Sequence, residues 1–404
     1  MTAADKLNAR FRGLQGGLFS CVTKADVGAK AERLLDAGCD VLGWADPFFP
    51  DPSLPESVRQ AMQKALDAGL CSHYTLPIGS GALRRAAAEK CARVNGLTVD
   101  PDRNVLITPG SDAGLLYAMM PFLSEGDEVL VPDPSYPSNF LNCRLCGAVA
   151  VPVPLRAEDG YQPDPAAFRR RLTPRTKMVL ITHPNNPTGT VFTPEAWAGL
   201  CAFIRENDLM LVCDMAFEDH IFDGRTCVTP AALPGMWERT VTTFSVSKGL
   251  GLSGLRVGYM VAADRWMDMF YAAAVNVLGA TNTLAQAGAE AALRDPQILP
   301  AYTEKLERRR RLIYDILSAV PGVSMQLPQS GILSWVNVGA LGTGDEAAAY
   351  LLAHANVLVN AGRNYGAQGR DYIRIVHGCI ADDARAEAVF RRIAQALSQM
   401  GKQA

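Results

Sequence analysis

The stretch Ser245-Val-Ser-Lys248-Gly-Leu-Gly-Leu-Ser-Gly-Leu-Arg256-Val-Gly258 decides how this chain is read. It links two apolar runs, Val241–Ser245 and Val257–Ala262. A lysine just beyond a buried strand, in a turn rich in serine and glycine, has a desolvated amine suited to Schiff-base chemistry. Arg256 follows eight residues on and can reach back with a two-pronged guanidinium that matches phosphate. The hydroxyls of Ser245 and Ser247, with backbone N–H groups, complete an anion site. A lysine near glycines would by itself be an ordinary loop. The full spacing S-x-S-K-x-x-G-L-x-G-x-R-x-G is far more restrictive.

Upstream lie five more short apolar runs, Asn104–Thr108, Glu128–Val131, Val149–Val153, Met178–Thr182 and Met210–Cys213. Amphipathic stretches separate them, with helices predicted over Asp112–Leu123, Pro194–Glu206 and Arg265–Leu278. Buried runs alternating with helices predict an α/β unit whose sheet is mostly parallel and seven-stranded. After Gln297 the pattern changes. A charged amphipathic helix over Pro300–Ala319 precedes strands at Gly331–Val338 and Val357–Asn360 and a closing helix over Asp382–Gln399. The expected division is a large unit, 46–295, and a smaller α+β unit made of 1–45 and 296–404. No repeat or low-complexity linker interrupts it.

Composition narrows the classes. A net charge of −2 gives no electrostatic argument for nucleic acid or anionic lipid. The run Arg308–Arg311 reads as a solvated helix face. No apolar stretch approaches the roughly 20 residues of a membrane span, and Met1–Arg12 lacks an apolar signal core, so a cytoplasmic protein is expected. Ten cysteines are scattered without a disulfide framework. Cys143 and Cys146 form a lone C-x-x-C with no second pair at zinc spacing, and read as two small residues near a helix surface. No metal site is expected.

Further motifs fall in one order along the chain: Tyr74-Thr-Leu-Pro-Ile-Gly79 with Leu83-Arg84, Thr108-Pro-Gly110-Ser111-Asp112, Asp133-Pro-Ser-Tyr136-Pro, Pro184-Asn-Asn186-Pro-Thr-Gly189, Asp214 after its strand, and Tyr372-Ile-Arg374. Singly, each has a bland reading as a turn, a cap or a surface cation. Together with the lysine motif they resemble the class I/II aminotransferases, pyridoxal 5'-phosphate (PLP) enzymes of fold type I in the aspartate-aminotransferase superfamily. The resemblance implies a role for each matching residue. Lys248 carries the cofactor and serves as base. Asp214 pairs with the pyridine nitrogen. Asn186 meets the ring oxygen and Tyr136 stacks on the ring. Gly110, Ser111, Asp112, Ser245, Ser247 and Arg256 hold the phosphate, the first three at a helix N-terminus. Tyr74 reaches the phosphate of a neighbouring subunit, which implies a homodimer with shared sites. Arg374 clamps the substrate carboxylate, with Asn186 beside it and Ala45 where the family usually has glycine. The implied activity is transfer of an amino group from an α-amino acid to a 2-oxo acid by ping-pong kinetics.

Two departures stand out. Phe217 occupies the place of a tyrosine that usually donates to the ring oxygen. Without that hydroxyl the Schiff-base nitrogen should be more basic. Phe217 is therefore part of the cofactor site and also the motive for an alternative, a PLP-dependent lyase, cyclase or oxidase. Asp112 could favour a cationic substrate side chain, against the plainer reading of an acid in a first helical turn. Met267–Leu293 contains no arginine or lysine, which weakens the case for a dicarboxylate substrate. Arg363 and His377 read as structural or rim residues. A non-enzymatic DNA-binding relative ranks last, because about 45 residues precede the large unit and the net charge is slightly acidic.

Overall fold

The computed structural model describes residues 6–11, 29–277 and 279–402. Residues 1–5 and 12–28 of the segment expected to join the smaller unit, Cys21 among them, lie outside the described residues, as does Leu278 at the end of a predicted helix.

In chain order the first half comprises α1 (Ala29–Asp36), β1 (Asp40–Val41), α2 (Glu56–Asp67), α3 (Gly81–Lys90), β2 (Val105–Thr108), α4 (Ser111–Met119), β3 (Glu128–Asp133), α5 (Pro137–Leu145), β4 (Val149–Pro154), α6 (Pro165–Arg169), β5 (Thr176–Thr182) and α7 (Pro194–Glu206). There follow β6 (Met210–Asp214), β7 (Thr240–Ser245), β8 (Gly258–Val261), α8 (Asp264–Val277), α9 (Thr283–Arg294), α10 (Ile298–Ser318), β9 (Ser324–Met325), β10 (Leu333–Asn337), α11 (Gly344–Ala355), β11 (Val357–Leu358), β12 (Asn360–Ala361), β13 (Tyr372–Val376) and α12 (Asp383–Met400).

The seven apolar runs become one sheet in the order β2-β8-β7-β6-β5-β3-β4. Only β8 runs against its neighbours, pairing antiparallel with both β2 and β7. The sheet is covered on both faces. Val105, Ile107, Leu211, Cys213 and Phe244 join one core with α2, α3, α7 and α9. The alternate residues Leu106, Val212, Val241 and Met260 join another with α4, α5 and α8. Period-two alternation therefore sends side chains into two apolar cores, and each fully buried side chain contributes roughly 1.5–3 kcal/mol. Helix starts are encoded locally. Thr193 caps α7 ahead of Pro194, and Thr343 with Glu346 forms a capping box on α11.

A four-stranded antiparallel sheet, β12-β13-β10-β9, carries a third core with α10, α11 and α12. Beside it β1 pairs in parallel with β11, which ties residues 40–41 to residues 357–358.

Two surface readings are corrected here. Arg308 and Arg311 are about half exposed, but Arg309 and Arg310 are buried. Four consecutive residues sweep most of the way round a helix at 100° each, so a packed helix must turn some of them inward. Arg309 donates to the carbonyls of Cys379 (2.7 Å) and Ile380 (3.1 Å), and Arg310 pairs with Asp223 and Glu307. Cys143, in α5, and Cys146, at its C-terminal cap, are likewise buried, both in the second core.

Candidate active site

Parallel strands end together, and the carboxyl ends of such a sheet are where an α/β protein binds ligands. Thr108, Asp133, Thr182, Asp214 and Ser245 close β2, β3, β5, β6 and β7 on that edge. A cavity of about 870 Å³, including its open mouth, lies there. Its walls include Ala45, Ser111, Asp112, Tyr136, Asn186, Asp214, Phe217, Ser245, Ser247, Lys248, Arg256 and Arg374. Twelve of the fourteen residues singled out from the sequence therefore converge. Gly110 stands directly behind the wall. A Cβ added there would lie 2.5 Å from Arg256 Nη2, and its φ of +83° favours glycine. Tyr74 lines no part of this chain's own pocket and is fully exposed.

The reversed strand β8 makes the anion end of the pocket. Gly258 pairs with Ser245 on one side and Thr108 on the other. A side chain at Gly258 would sit 2.8 Å from Ser111 N, so only glycine lets the lysine loop approach the start of α4. Arg256, in left-handed backbone at φ 51°, donates to Ser253 O at 3.0 Å and to Ser247 Oγ at 3.5 Å. Its guanidinium thus stands against the free N–H end of α4, an arrangement suited to phosphate.

Lys248 Nζ donates to the carbonyl of Ala45 across the pocket. Asp214 is buried, and its contacts are long: Ala216 N at 3.2 Å, Thr243 Oγ1 at 3.4 Å and Thr182 Oγ1 at 3.5 Å. Burial first, and the nearby Asp112 charge second, push its carboxyl up to about 7. Such a carboxyl has room for a cationic partner.

Arg374 is 2% exposed. It donates to Gly43 O at 2.6 Å, Asn360 Oδ1 at 2.7 Å and Asn186 Oδ1 at 3.2 Å, with the Tyr365 ring 4.9 Å away. Its Nε has no hydrogen-bond partner and, among the described residues, no carboxylate pairs with it. Trp44 Nε1 and Asp112 Oδ1 are buried polar atoms in the same pocket that also have none. Trp44, Asp46, Ala216 and Ser253 line the pocket without having been singled out. Asn360 was also missed, although its register opposite Arg374 on β13 fixes it as that arginine's support. His377 is buried, bonded to Ser334, and burial pushes its imidazole down to about 3. Arg363 pairs with Asp345 at the surface.

The fold and this pocket define a fold type I aminotransferase. The chain matches the family described as aminotransferase class I and II over residues 40–393. It is 32% identical to an aspartate aminotransferase of Musicola paradisiaca, over 81% of this chain and 82% of that one. It is also 32% identical to an arginine–pyruvate transaminase of Pseudomonas aeruginosa, over 88% and 90%. The aspartate aminotransferase from Thermus thermophilus with maleate superposes with a TM-score of 0.86 at 28% identity, covering 98% of this chain and 99% of that one. The chain belongs to the class I and II aminotransferases, and it is an enzyme of amino-group transfer. The lyase, cyclase or oxidase alternative is not favoured by these relatives. No helix among the described residues is long and apolar enough to cross a membrane.

Proposed function

We propose that this enzyme takes the amino group of an α-amino acid and passes it to a 2-oxo acid in two half-reactions, with PLP held at Lys248. The carrying observation is the buried Arg374, without a carboxylate of its own, in one pocket with Lys248 and the under-bonded Asp214. The donor set suits the cofactor: an amine, a buried acid, and an arginine beside a helix N-terminus. When bound, PLP supplies a carbonyl for amines and an electron sink for the charge left at Cα.

The chain's own residues do the rest. Arg256, Ser245, Ser247 and the N–H groups of Ser111 and Asp112 would hold the phosphate, with Gly110 leaving the room that Arg256 needs. Asp214 keeps a proton at the ring nitrogen. Tyr136 would cover one face of the ring, and Asn186 would donate to its oxygen. Phe217 fills the neighbouring wall but offers no donor. Arg374, with Ala45 and Asn186 at its side, fixes the substrate's α-carboxylate. Lys248 Nζ would serve as the general base that takes the Cα proton and as the acid that delivers it to the cofactor's carbonyl-derived carbon instead of back to Cα. Ping-pong kinetics follow.

The same reading extends to assembly. Tyr74 is fully exposed, and Leu66, Leu70 and Leu76, close to it in sequence, are exposed as well, which suits a second copy whose site Tyr74 would complete. A division into a large unit of 46–295 and a smaller one of 1–45 with 296–404 belongs to the same reading. A cytoplasmic location fits this chemistry.

The test adds single amino acids to the cofactor-loaded protein without an acceptor and follows absorbance. Conversion of the cofactor to its amine form, with release of the matching 2-oxo acid, is expected. Accumulation of ammonia or peroxide instead would overturn the reading in favour of lyase, cyclase or oxidase chemistry.

A further inference from the structure

The pocket holds three cationic side chains, Lys248, Arg256 and Arg374, and three acids, Asp46, Asp112 and Asp214. Each cation has a place. Lys248 faces Ala45 O, Arg256 stands at the helix N-terminus, and Arg374 is gripped by Gly43, Asn360 and Asn186. Among the described residues of this chain, no further lysine or arginine lines the pocket. The acids are less evenly matched. Asp46 accepts from Ser253 Oγ at 2.5 Å. Asp214 is matched to the cofactor ring in the reading above. Asp112 has only one long contact, from Tyr136 OH to Oδ2 at 3.4 Å. Its Oδ1 is buried with no hydrogen-bond partner, and no described lysine or arginine pairs with it.

A side-chain oxygen buried in an amino-acid site without a donor asks for one from the ligand. An aspartate or glutamate substrate would bring a like charge toward Asp112. A side chain ending in ammonium or guanidinium would bring the missing donor and the opposite charge.

We propose that Asp112 is a specificity-determining residue that selects amino donors with a cationic side chain and disfavours dicarboxylates. This rests on the transaminase reading of the same pocket. Tyr136 has a second part in it, since its hydroxyl holds Oδ2 and leaves Oδ1 for the substrate.

The test measures second-order rate constants of the donor half-reaction for arginine, ornithine, alanine and aspartate. It uses the cofactor-loaded wild type, Asp112→Asn and Asp112→Lys. In the wild type, arginine or ornithine is expected to exceed aspartate at least tenfold. In Asp112→Asn the arginine-to-alanine ratio falls about tenfold or more, and in Asp112→Lys the order of arginine and aspartate reverses. The ratio is the readout because a loosened phosphate site or a perturbed Asp214 slows every donor alike. A uniform loss in Asp112→Asn, or a wild type that prefers aspartate, overturns the proposal. If alanine reacts and no cationic preference appears, only this inference fails. If no donor converts the cofactor, the transaminase reading fails and takes this one with it.

Discussion

Arg310 and Arg374 are both buried arginines, and they are treated in opposite ways. Every nitrogen of Arg310 is engaged. Nε donates to Glu307 at 2.6 Å, Nη1 to Pro328 O at 2.7 Å and Asp223 at 3.0 Å, and Nη2 to Asp223 at 2.5 Å and Glu307 at 2.8 Å. Its guanidinium also lies 4.4 Å from the Phe222 ring. Among the described residues, Arg374 has three neutral oxygens, no carboxylate and an unpaired Nε. Burying a guanidinium is costly unless it is paired and fully bonded. Arg310 meets that cost within the fold, whereas Arg374 is left short. The difference separates a structural charge from one kept ready for a ligand.

The sharpest way to break this contrast is Arg374→Met. It should lower kcat/KM by roughly 10²–10³-fold, because a buried, charge-assisted carboxylate contact is lost. Its stability should change by less than about 1 kcal/mol or rise, as happens when an under-satisfied site group is removed. Steady-state kinetics and urea unfolding of the same preparation test both halves.

Asp214 extends the contrast to an acid. Its carboxyl is raised to about 7 from a usual 3.8, so between those values the folded state binds more protons than the unfolded one. Stability of the cofactor-free enzyme should fall as pH rises from about 4 through about 7, relative to Asp214→Asn. The full difference is at most about 4 kcal/mol. Loading PLP should flatten that slope, because the ring nitrogen supplies the partner. Unfolding curves at a series of pH values would show it, and an equal slope in Asp214→Asn would refute it.

Arg310→Met should do the reverse of Arg374→Met. It should cost about 2–3 kcal/mol of stability, discounted because Asp223 and Glu307 are about one-third exposed, while kcat/KM stays within twofold. The smallest effect belongs to Phe217→Tyr. Restoring a hydroxyl at the wall of the site should change the donor half-reaction by about two- to fivefold and lower the pH at which the cofactor's absorbance titrates. No shift in that titration would mean that the hydroxyl does not reach the ring oxygen.

These contrasts also explain what was legible in the sequence. The seven strands of the large sheet were readable to within two residues at each end, because each is a short apolar run stopped by a turn. Helix α7 was readable outright, having a threonine cap, a proline and a clean apolar stripe. Helices α2, α3, α5, α9 and α11 were not singled out. Helix α9, for instance, is nearly half alanine, so few large apolar residues mark its buried face. Most of the pocket could be named through the family resemblance, whose motifs fall at the ends of these strands. Trp44, Asp46 and Asn360 arrive from chain segments remote in sequence, and only strand register brings them to Arg374 and Lys248. Burial of Arg309 and Arg310 was invisible for a related reason. A charge run declares its charge but not the loops that fold over it.

The reversed strand β8 has one more consequence. Because Ser245 pairs with Gly258, residues 245–258 form a ring closed by backbone hydrogen bonds, with Lys248 on one limb and Arg256 on the other. In the proposed reading, the cofactor's two grips would be spaced by a clasp that fastens when the sheet forms. Its ordering entropy belongs to folding and not to ligand capture. Reconstitution of the cofactor-free enzyme should therefore resemble a key entering a finished lock, limited by encounter rather than by the setting of its tumblers.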